Sequence, residues 1–212
     1  MISSKLFLSN FKKCLDEFCL LQKYKEGDYT MKNVYELCLS SSHELKKVKN
    51  LVLASLLMTI NILLDLFTLQ ILPTLHVSFE FLASAATGMF FGPVVGAICG
   101  GLGDVIKYIL NPKVVFFPGF TISAIVGGII YGLILYKKEV TVLRCILTEV
   151  LITIIVSVCL NTYWLSILYE KAFLFLFWQR IAKSVIMLPI NITLMYVVLR
   201  YIGKIKKKYF DM

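Results

Sequence analysis

The sequence predicts an all-α integral membrane protein with six transmembrane helices, and three observations carry this prediction. First, 58% of the 212 residues are hydrophobic and 17% are charged, whereas soluble domains carry about 25% charged residues. Second, apolar segments of roughly spanning length recur from Leu51 to the basic C-terminus. Third, the excess positive charge lies at the two ends of the chain. A soluble enzyme and a disordered protein are excluded, because a chain of this size cannot bury so much apolar surface in water.

Residues 1–45 are polar enough to be soluble and form a predicted cytoplasmic extension. Phe7, Phe11, Leu15 and Phe18 recur at helical spacing among charged residues, which predicts an amphipathic helix on the membrane surface. A loosely ordered leader with one short helix is the alternative. We expect no cleavable signal peptide, because a continuous apolar core and a small-residue cleavage site are missing.

Six apolar segments follow, and turn or break signals separate the first four. Pro73, Gly92-Pro93 and Asn111-Pro112 interrupt the chain between them. A bilayer-spanning helix needs about 20 mostly apolar residues. The second and third segments are short and rich in glycine, so a re-entrant pair is the alternative to two spans. The predicted spans are 50–72, 78–92, 93–110, 119–136, 142–163 and 174–202.

Basic residues orient these helices. They are grouped before the first span, between the fourth and fifth, and after the sixth. Six spans place all three groups on one face, which the positive-inside rule makes cytoplasmic. We therefore predict cytoplasmic termini, a membrane domain over residues 46–204 and a basic cytoplasmic tail over 205–212.

Small residues recur at every fourth position in the middle of the chain. Such steps let helix backbones approach closely in a membrane, either within one bundle or against a partner helix. The two series are Gly88, Gly92, Gly96 and Gly100, followed by Ala124, Gly128 and Gly132.

Polar groups inside the predicted spans need an explanation. Ionisable residues at membrane depth normally face a cavity or a partner, and Asp65, Asp104, Lys107 and Glu149 are of this kind. Asp104 and Lys107 lie three residues apart on one helix, close enough to pair. A satisfied interhelical hydrogen bond is the alternative for each of these residues.

Cations and aromatic rings concentrate near the non-cytoplasmic helix ends. Aromatic walls bind flat conjugated rings, Asn161 offers a hydrogen bond to a heterocycle edge, and cations suit carboxylates. An aromatic belt at the membrane interface is the alternative. The cations are Lys107, Lys113, Arg180 and Lys183, and the rings are Phe116, Phe117, Phe120, Tyr163, Trp164 and Tyr169.

Motifs for catalysis and metal binding are missing from the sequence. It contains no G-x-x-x-x-G-K-[ST] phosphate loop, no G-x-S-x-G and no H-E-x-x-H. The six cysteines form no C-x-x-C pair. We expect no catalytic residues, metal or cofactor, and the charge pattern argues against a nucleic-acid partner.

Four stretches resemble the folate-specific S component, the substrate-binding membrane subunit of energy-coupling factor (ECF) transporters. The stretches occur in order and at matching spacing, and the resemblance covers about residues 48–203. It implies a six-helix bundle of the S-component type in the bacterial plasma membrane. The stretches are GMFFGPVVG at 88–96, FPGFTISA at 117–124, NTYWLS at 161–166 and MLP at 187–189.

The resemblance also implies a ligand and partners. An S component captures its vitamin outside the cell and delivers it inward when docked on a membrane coupling protein, the T component, with two cytoplasmic ATPases. The expected ligand is folate or a reduced folate. Energy would come from the partners, which agrees with the missing phosphate loop.

Site residues follow from the same resemblance. The segment 117–121 would lie beside the pterin, and Asn161 and Trp164 would hold or cover its ring. Lys113 in the preceding loop would meet the glutamate tail, and Arg180 would lie near the ligand. The implied ligand-binding residues are Lys113, Phe117, Pro118, Gly119, Phe120, Thr121, Asn161, Trp164, Arg180 and Lys183.

Some positions depart from the family pattern. The helix-one strip that meets the T component corresponds to Ala54, Ser55 and Met58, where the second small residue is missing. His76 stands where a cation is usual, Glu80 stands where a small residue is usual, and Lys107 is atypical. We hypothesise that Glu80 and Lys107 compensate each other electrostatically.

Two alternatives remain at this point. One is an S component for another flat vitamin or pterin. The other is a membrane scaffold without transport activity, whose basic tail and leader recruit soluble partners.

Overall fold

The structure is a computed structural model, and it describes residues 31–66, 69–72, 75–110, 117–169 and 173–209. The chain divides into two compact units, Met1–Leu37 and Cys38–Met212, and every contact discussed below lies within the second. The predicted amphipathic helix at residues 7–18 lies outside the described residues. The helices are α1 (Met31–Glu44), α2 (Val48–Leu66), α3 (Glu80–Leu110), α4 (Pro118–Leu135), α5 (Val142–Leu151), α6 (Asn161–Tyr169) and α7 (Phe173–Tyr209).

The predicted all-α membrane bundle is confirmed. In the described part of the chain, five helices are long and apolar enough to cross a membrane. Helix α3 is divided at Gly92, whose φ of 86° and ψ of −170° interrupt the helix. Pro93 follows this glycine and cannot donate a backbone hydrogen bond. The division at Gly92 produces the second and third of the six predicted segments.

The end of α1 closes this kink through one buried serine. The non-helical backbone of Gly92 interrupts the regular hydrogen-bond pattern of α3 at this point, and the first N–H groups of a helix segment are commonly satisfied by a side chain. Ser41 Oγ accepts hydrogen bonds from the N–H groups of Val94 (3.1 Å) and Val95 (3.3 Å). It also donates to the carbonyl oxygen of Phe91 at 2.6 Å. Ser41 therefore satisfies both sides of the break and is itself fully buried.

The repeated small residues form a seam between α3 and α4. A Cβ added at Gly96 would lie 2.6 Å from the carbonyl oxygen of Gly128, and one at Gly100 would lie 2.6 Å from that of Ala124. A Cβ at Gly132 would overlap the backbone of Pro93. The two helices thus touch backbone to backbone, and the series serves packing within the bundle.

The segment after α2 corrects the sequence analysis. The first span was expected to reach residue 72, but α2 ends at Leu66 and an antiparallel hairpin follows. Its strands are β1 (Leu69–Leu72) and β2 (Leu75–Val77). Pro73 disfavours helical backbone in the residue before it, and strand pairing gives the backbone groups alternative partners.

The fifth span also differs from expectation. Between α5 and α6 the chain forms a π-helix at Ile152–Leu160, and the span continues to Tyr169 instead of ending at 163. A π-helix has a wider turn than an α-helix. It therefore changes the direction in which the side chains of α6 point, relative to an uninterrupted α-helix.

The outward surface of the bundle is apolar. Large side chains such as Val52, Ile109 and Val185 are more than 60% exposed. A soluble protein rarely exposes apolar surface so continuously, whereas lipid is the natural solvent for it. This surface and the spanning helices describe a multi-pass membrane protein.

Candidate functional site

A cavity of about 480 Å³ lies between α2, α3, α4 and the span that begins with α5. This volume falls within the range of about 300–1,000 Å³ that is typical of small-molecule sites. No described residue of α7 lines it. As far as the described residues show, the first five spans form the cavity.

The end of the cavity near the Gly92 kink is lined by small and apolar groups. They include Gly96 and Gly128 from the seam, together with Tyr131 and Ile152. Because the seam contributes backbone instead of side chains, a flat group can approach both helices closely. This end suits an apolar or aromatic part of a ligand.

The opposite end, here called the polar end, is lined by Asn61, Asp65, Glu80, Asp104 and Lys107. Lys107 Nζ donates a hydrogen bond to Glu80 Oε2 and forms an ion pair with it. The two residues that were expected to compensate each other are therefore in contact. The pair also ties the end of α3 to its beginning, across the kink.

Asp104 has a different partner from the one expected. Its spacing to Lys107 suggested a pair within one helix, but among the described residues Lys107 is bound to Glu80. Asp104 Oδ2 instead accepts a hydrogen bond from Thr121 Oγ1 at 2.8 Å. The intrahelical pairing is therefore wrong, because the α3 kink brings a competing carboxylate to Lys107.

Asn61 organises the polar end from α2. Its Nδ2 donates to the carbonyl oxygen of Glu80 at 2.7 Å and to Ser84 Oγ at 2.8 Å. These bonds join α2 to the first turn of α3, directly beside the ion pair. The polar end is consequently a connected set of hydrogen bonds between helices.

Aromatic side chains form one wall beside the polar end. Phe117 and Phe120 line the cavity, and their ring centroids lie 6.1 Å apart in an edge-to-face arrangement. Trp164 packs behind Phe117 at a centroid distance of 5.6 Å and donates its Nε1–H to Ser123 Oγ at 3.2 Å. A Cβ at Gly119 would overlap the Trp164 ring. Trp164 therefore supports the wall and does not line the cavity.

Asn161 is the first residue after the π-helix and lines the cavity. Its Oδ1 is buried and has no hydrogen-bond partner in the described part of the chain. Buried polar atoms without a partner are rare, because losing water without replacement costs about 1–3 kcal/mol. An unsatisfied acceptor in a cavity wall is typical of a ligand contact.

The other predicted ligand-binding residues lie at different places. Thr121 reaches the cavity through its bond to Asp104. Pro118 is exposed at the start of α4, where proline is favoured. Lys183 is half-buried on α7, outside the cavity wall. The side chains of Lys113 and Arg180 lie outside the described residues.

Several lining residues were missed as site residues, although their signal was present in the sequence. Asn61 and Asp65 share one helix face, as do Glu80 and Ser84. A pair of polar residues four apart inside an apolar span marks a face that is turned away from lipid. Asp104 gave a comparable signal, because it is a carboxylate at membrane depth.

The predicted docking strip is only partly on the surface. Ala54 is buried and packs against Phe91 and Val95 of α3. Met58 lines the cavity. Ser55 is exposed, and its hydroxyl donates to the carbonyl oxygen of Leu51 at 2.9 Å.

Comparisons with known proteins match most of this chain. A family model described as "ECF transporter, substrate-specific component" matches residues 49–199. The folate transporter FolT of Clostridium novyi is 39% identical over 152 residues, which are 72% of this chain and 88% of the relative. FolT of Leuconostoc mesenteroides is 31% identical over 172 residues, covering 77% of this chain and 92% of the relative.

A solved structure is also similar. A crystal structure of FolT bound with folic acid has a TM-score of 0.66 and 34% sequence identity to this chain. The match covers 71% of this chain and 92% of the solved one. The similarity in sequence and the similarity in fold therefore extend over most of the chain.

Proposed function

The chain belongs to the substrate-specific components of ECF transporters, and from this membership we propose that it binds folate or a reduced folate. Such a component is a substrate-binding subunit of a transporter and not an enzyme. Relatives named as folate transporters at 39% and 31% identity support folate as the ligand. The similar fold, found in FolT with folic acid bound, supports the same ligand.

The observation that carries the proposal is the composition of the cavity wall. A pterin is flat and conjugated, so it packs well on aromatic faces. Phe117 and Phe120 provide such faces, and Trp164 holds Phe117 in place. Asn161 places an unsatisfied acceptor beside them. A cavity of about 480 Å³ is large enough for a ligand of this class.

Transport requires partners in this proposal. The sequence has no phosphate loop, so ATP hydrolysis falls to two cytoplasmic ATPases that act through a T component. A docking strip on α2 around Ser55 is part of the proposal, and the exposure of Ser55 supports it. Ala54 would contribute by keeping α2 close to α3.

The proposed orientation places both termini in the cytoplasm and the polar end of the cavity toward the outside. Basic residues before α2, between α4 and α5 and near the end of α7 support it. Under this orientation the Gly92 kink lies near the cytoplasmic face. Folate would enter at the polar end from the external medium.

Calorimetry on the purified full-length chain in detergent tests the ligand. We expect saturable heat with folate or with 5-formyltetrahydrofolate, and none with riboflavin or thiamin. Heat with riboflavin or thiamin, and none with either folate, would show that the protein binds a different vitamin. Absence of heat with all four would refute folate as the ligand.

The two tryptophans provide a matched pair of variants for the site. Trp164→Ala removes the support of Phe117, so we expect folate affinity to fall about tenfold or more, beyond any change in melting temperature. Trp178 is 65% exposed, and Trp178→Ala should leave affinity unchanged. Equal affinities for the two variants would contradict the site assignment.

A further inference from the structure

Asp104 is a carboxylate in the cavity wall with one oxygen already fixed. Oδ2 accepts the hydroxyl hydrogen of Thr121 at 2.8 Å. Within the described residues this carboxylate makes no other hydrogen bond, and its side chain borders the cavity. Each carboxylate oxygen has two acceptor positions, so Asp104 retains capacity on both oxygens for a ligand in the cavity.

In the described part of the chain, the cation that lines this end of the cavity is not directed at Asp104. Among the described residues Lys107 lines the same end of the cavity, but its ammonium group is bound to Glu80. The Asn161 side chain adds a buried Oδ1 without a partner. Two acceptors that need hydrogen-bond donors therefore face one cavity.

These two acceptors indicate that the part of the ligand facing them carries hydrogen-bond donors. A 2-amino-4-oxopyrimidine ring presents two adjacent N–H groups, one on the exocyclic amine and one on the ring. Two parallel N–H donors match the two oxygens of a carboxylate, as the arginine fork does. A 2-oxo ring presents a carbonyl oxygen in place of the amine, which would face a carboxylate oxygen and be rejected.

We propose that Asp104 recognises the 2-amino-pyrimidine edge of the ligand and that Thr121 is a positioning residue that holds the Asp104 carboxylate. The inference rests on the proposed function and deepens it, because it names the part of folate that determines specificity. The site then accepts pterins and folates and discriminates against 2-oxo pteridines and flavins.

A cycle of two proteins and two ligands tests the assignment. The ligands are folate and 2-deaminofolate, in which hydrogen replaces the amine. The proteins are the wild-type chain and Asp104→Asn, which keeps the size of the side chain. Wild type should bind folate about 10- to 100-fold more tightly than 2-deaminofolate, because loss of the amine removes a hydrogen bond to a charged group, which is stronger than one between neutral groups. In Asp104→Asn the preference should shrink to a few-fold.

A matched control separates recognition from a general effect of charge. Asp65 also borders the polar end, from α2. Asp65→Asn should change the affinities for both ligands by the same factor and leave the preference for folate intact. If Asp104 were only structural, its variant would behave in the same way.

The outcomes separate this inference from the proposed function. If the wild-type chain binds neither ligand, the proposed function fails. If it binds folate and 2-deaminofolate equally, or if Asp104→Asn retains the full preference, the inference is refuted and folate binding stands. Should Asp104→Asn not fold, Thr121→Val provides the second variant. It releases the carboxylate and should reduce the preference, and an unreduced preference in it would also refute the inference.

Discussion

Replacing Ser41 by alanine should destabilise the protein far more than its single hydroxyl suggests. That hydroxyl receives the N–H groups of Val94 and Val95 and donates to the carbonyl oxygen of Phe91. Ser41 is fully buried, so water cannot replace these bonds without a local opening of the kink. The substitution removes the side-chain partner of three backbone groups.

The expected magnitude follows from these three groups. Each buried group left unsatisfied costs about 1–3 kcal/mol, and local relaxation recovers part of it. We expect a loss of about 2–4 kcal/mol in the free energy of unfolding. For a chain of this length, 1 kcal/mol shifts the melting temperature by about 2–4 °C. Ser41→Ala should therefore melt roughly 5–15 °C below the wild type.

The neighbouring serine provides the control. Ser42 donates to the carbonyl oxygen of Leu39 at 2.8 Å, in an exposed bond within α1. Ser42→Ala should change the melting temperature by less than about 2 °C. The assay is thermal unfolding of the ligand-free chain in one detergent at one heating rate, because irreversible unfolding depends on the rate. If the two variants melted together, the cap on the kink would contribute nothing and the reasoning would be refuted.

Two further predictions concern the helix contacts. Gly128→Ala should lower stability by about 3 kcal/mol or prevent folding, because its Cβ would overlap the Gly96 carbonyl. Gly127→Ala should be tolerated, since its Cβ would meet Ile152 and Val156 at an ordinary 4.0 Å; similar melting temperatures for the two variants would contradict the seam. Glu80→Gln and Lys107→Met should each destabilise the chain, whereas the double variant should recover about 1 kcal/mol of the summed losses. Strict additivity in detergent melts would show that the ion pair contributes no coupling.

The helices and the division of α3 could be predicted from the sequence for simple physical reasons. Apolar runs of spanning length have few alternatives in lipid, and Gly92-Pro93 combines a residue that tolerates positive φ with one that lacks an N–H. The pairing of Glu80 with Lys107 was also accessible, because two opposite charges at membrane depth need each other. The helices and the division of α3 thus follow from local residue properties, and the ion pair follows from charge balance.

The hairpin and the π-helix could not be predicted from the sequence in this way. Residues 69–72 are mostly apolar, so hydropathy alone extends the first span to residue 72. The π-helix at Ile152–Leu160 lies in a continuous apolar run, and no residue type marks it.

The cavity lining includes part of the predicted site residues, and the differences have a geometric cause. Phe117, Phe120 and Asn161 were placed in the ligand site and they line the cavity. Trp164 was expected to hold or cover the ring, and it packs behind Phe117 instead. The direction of the Trp164 side chain depends on how far the π-helix rotates the helix that follows it. Composition does not reveal this rotation. Asp104 was noted as an ionisable residue at membrane depth, but its partner Thr121 lies on another helix and became evident only in three dimensions.

The glycine seam limits how ligand preference can change by mutation. Along this wall of the cavity, the contact surface is the peptide backbone of α3 and α4, and a side chain added at Gly96 or Gly128 would separate the helices. Substitutions there disrupt the fold before they can reshape the site. New specificities must therefore arise at the polar end or on the aromatic wall, where side chains can be exchanged without moving a helix. The molecule thus combines a cavity wall that cannot be changed without disturbing the helix packing with a wall whose side chains can be replaced.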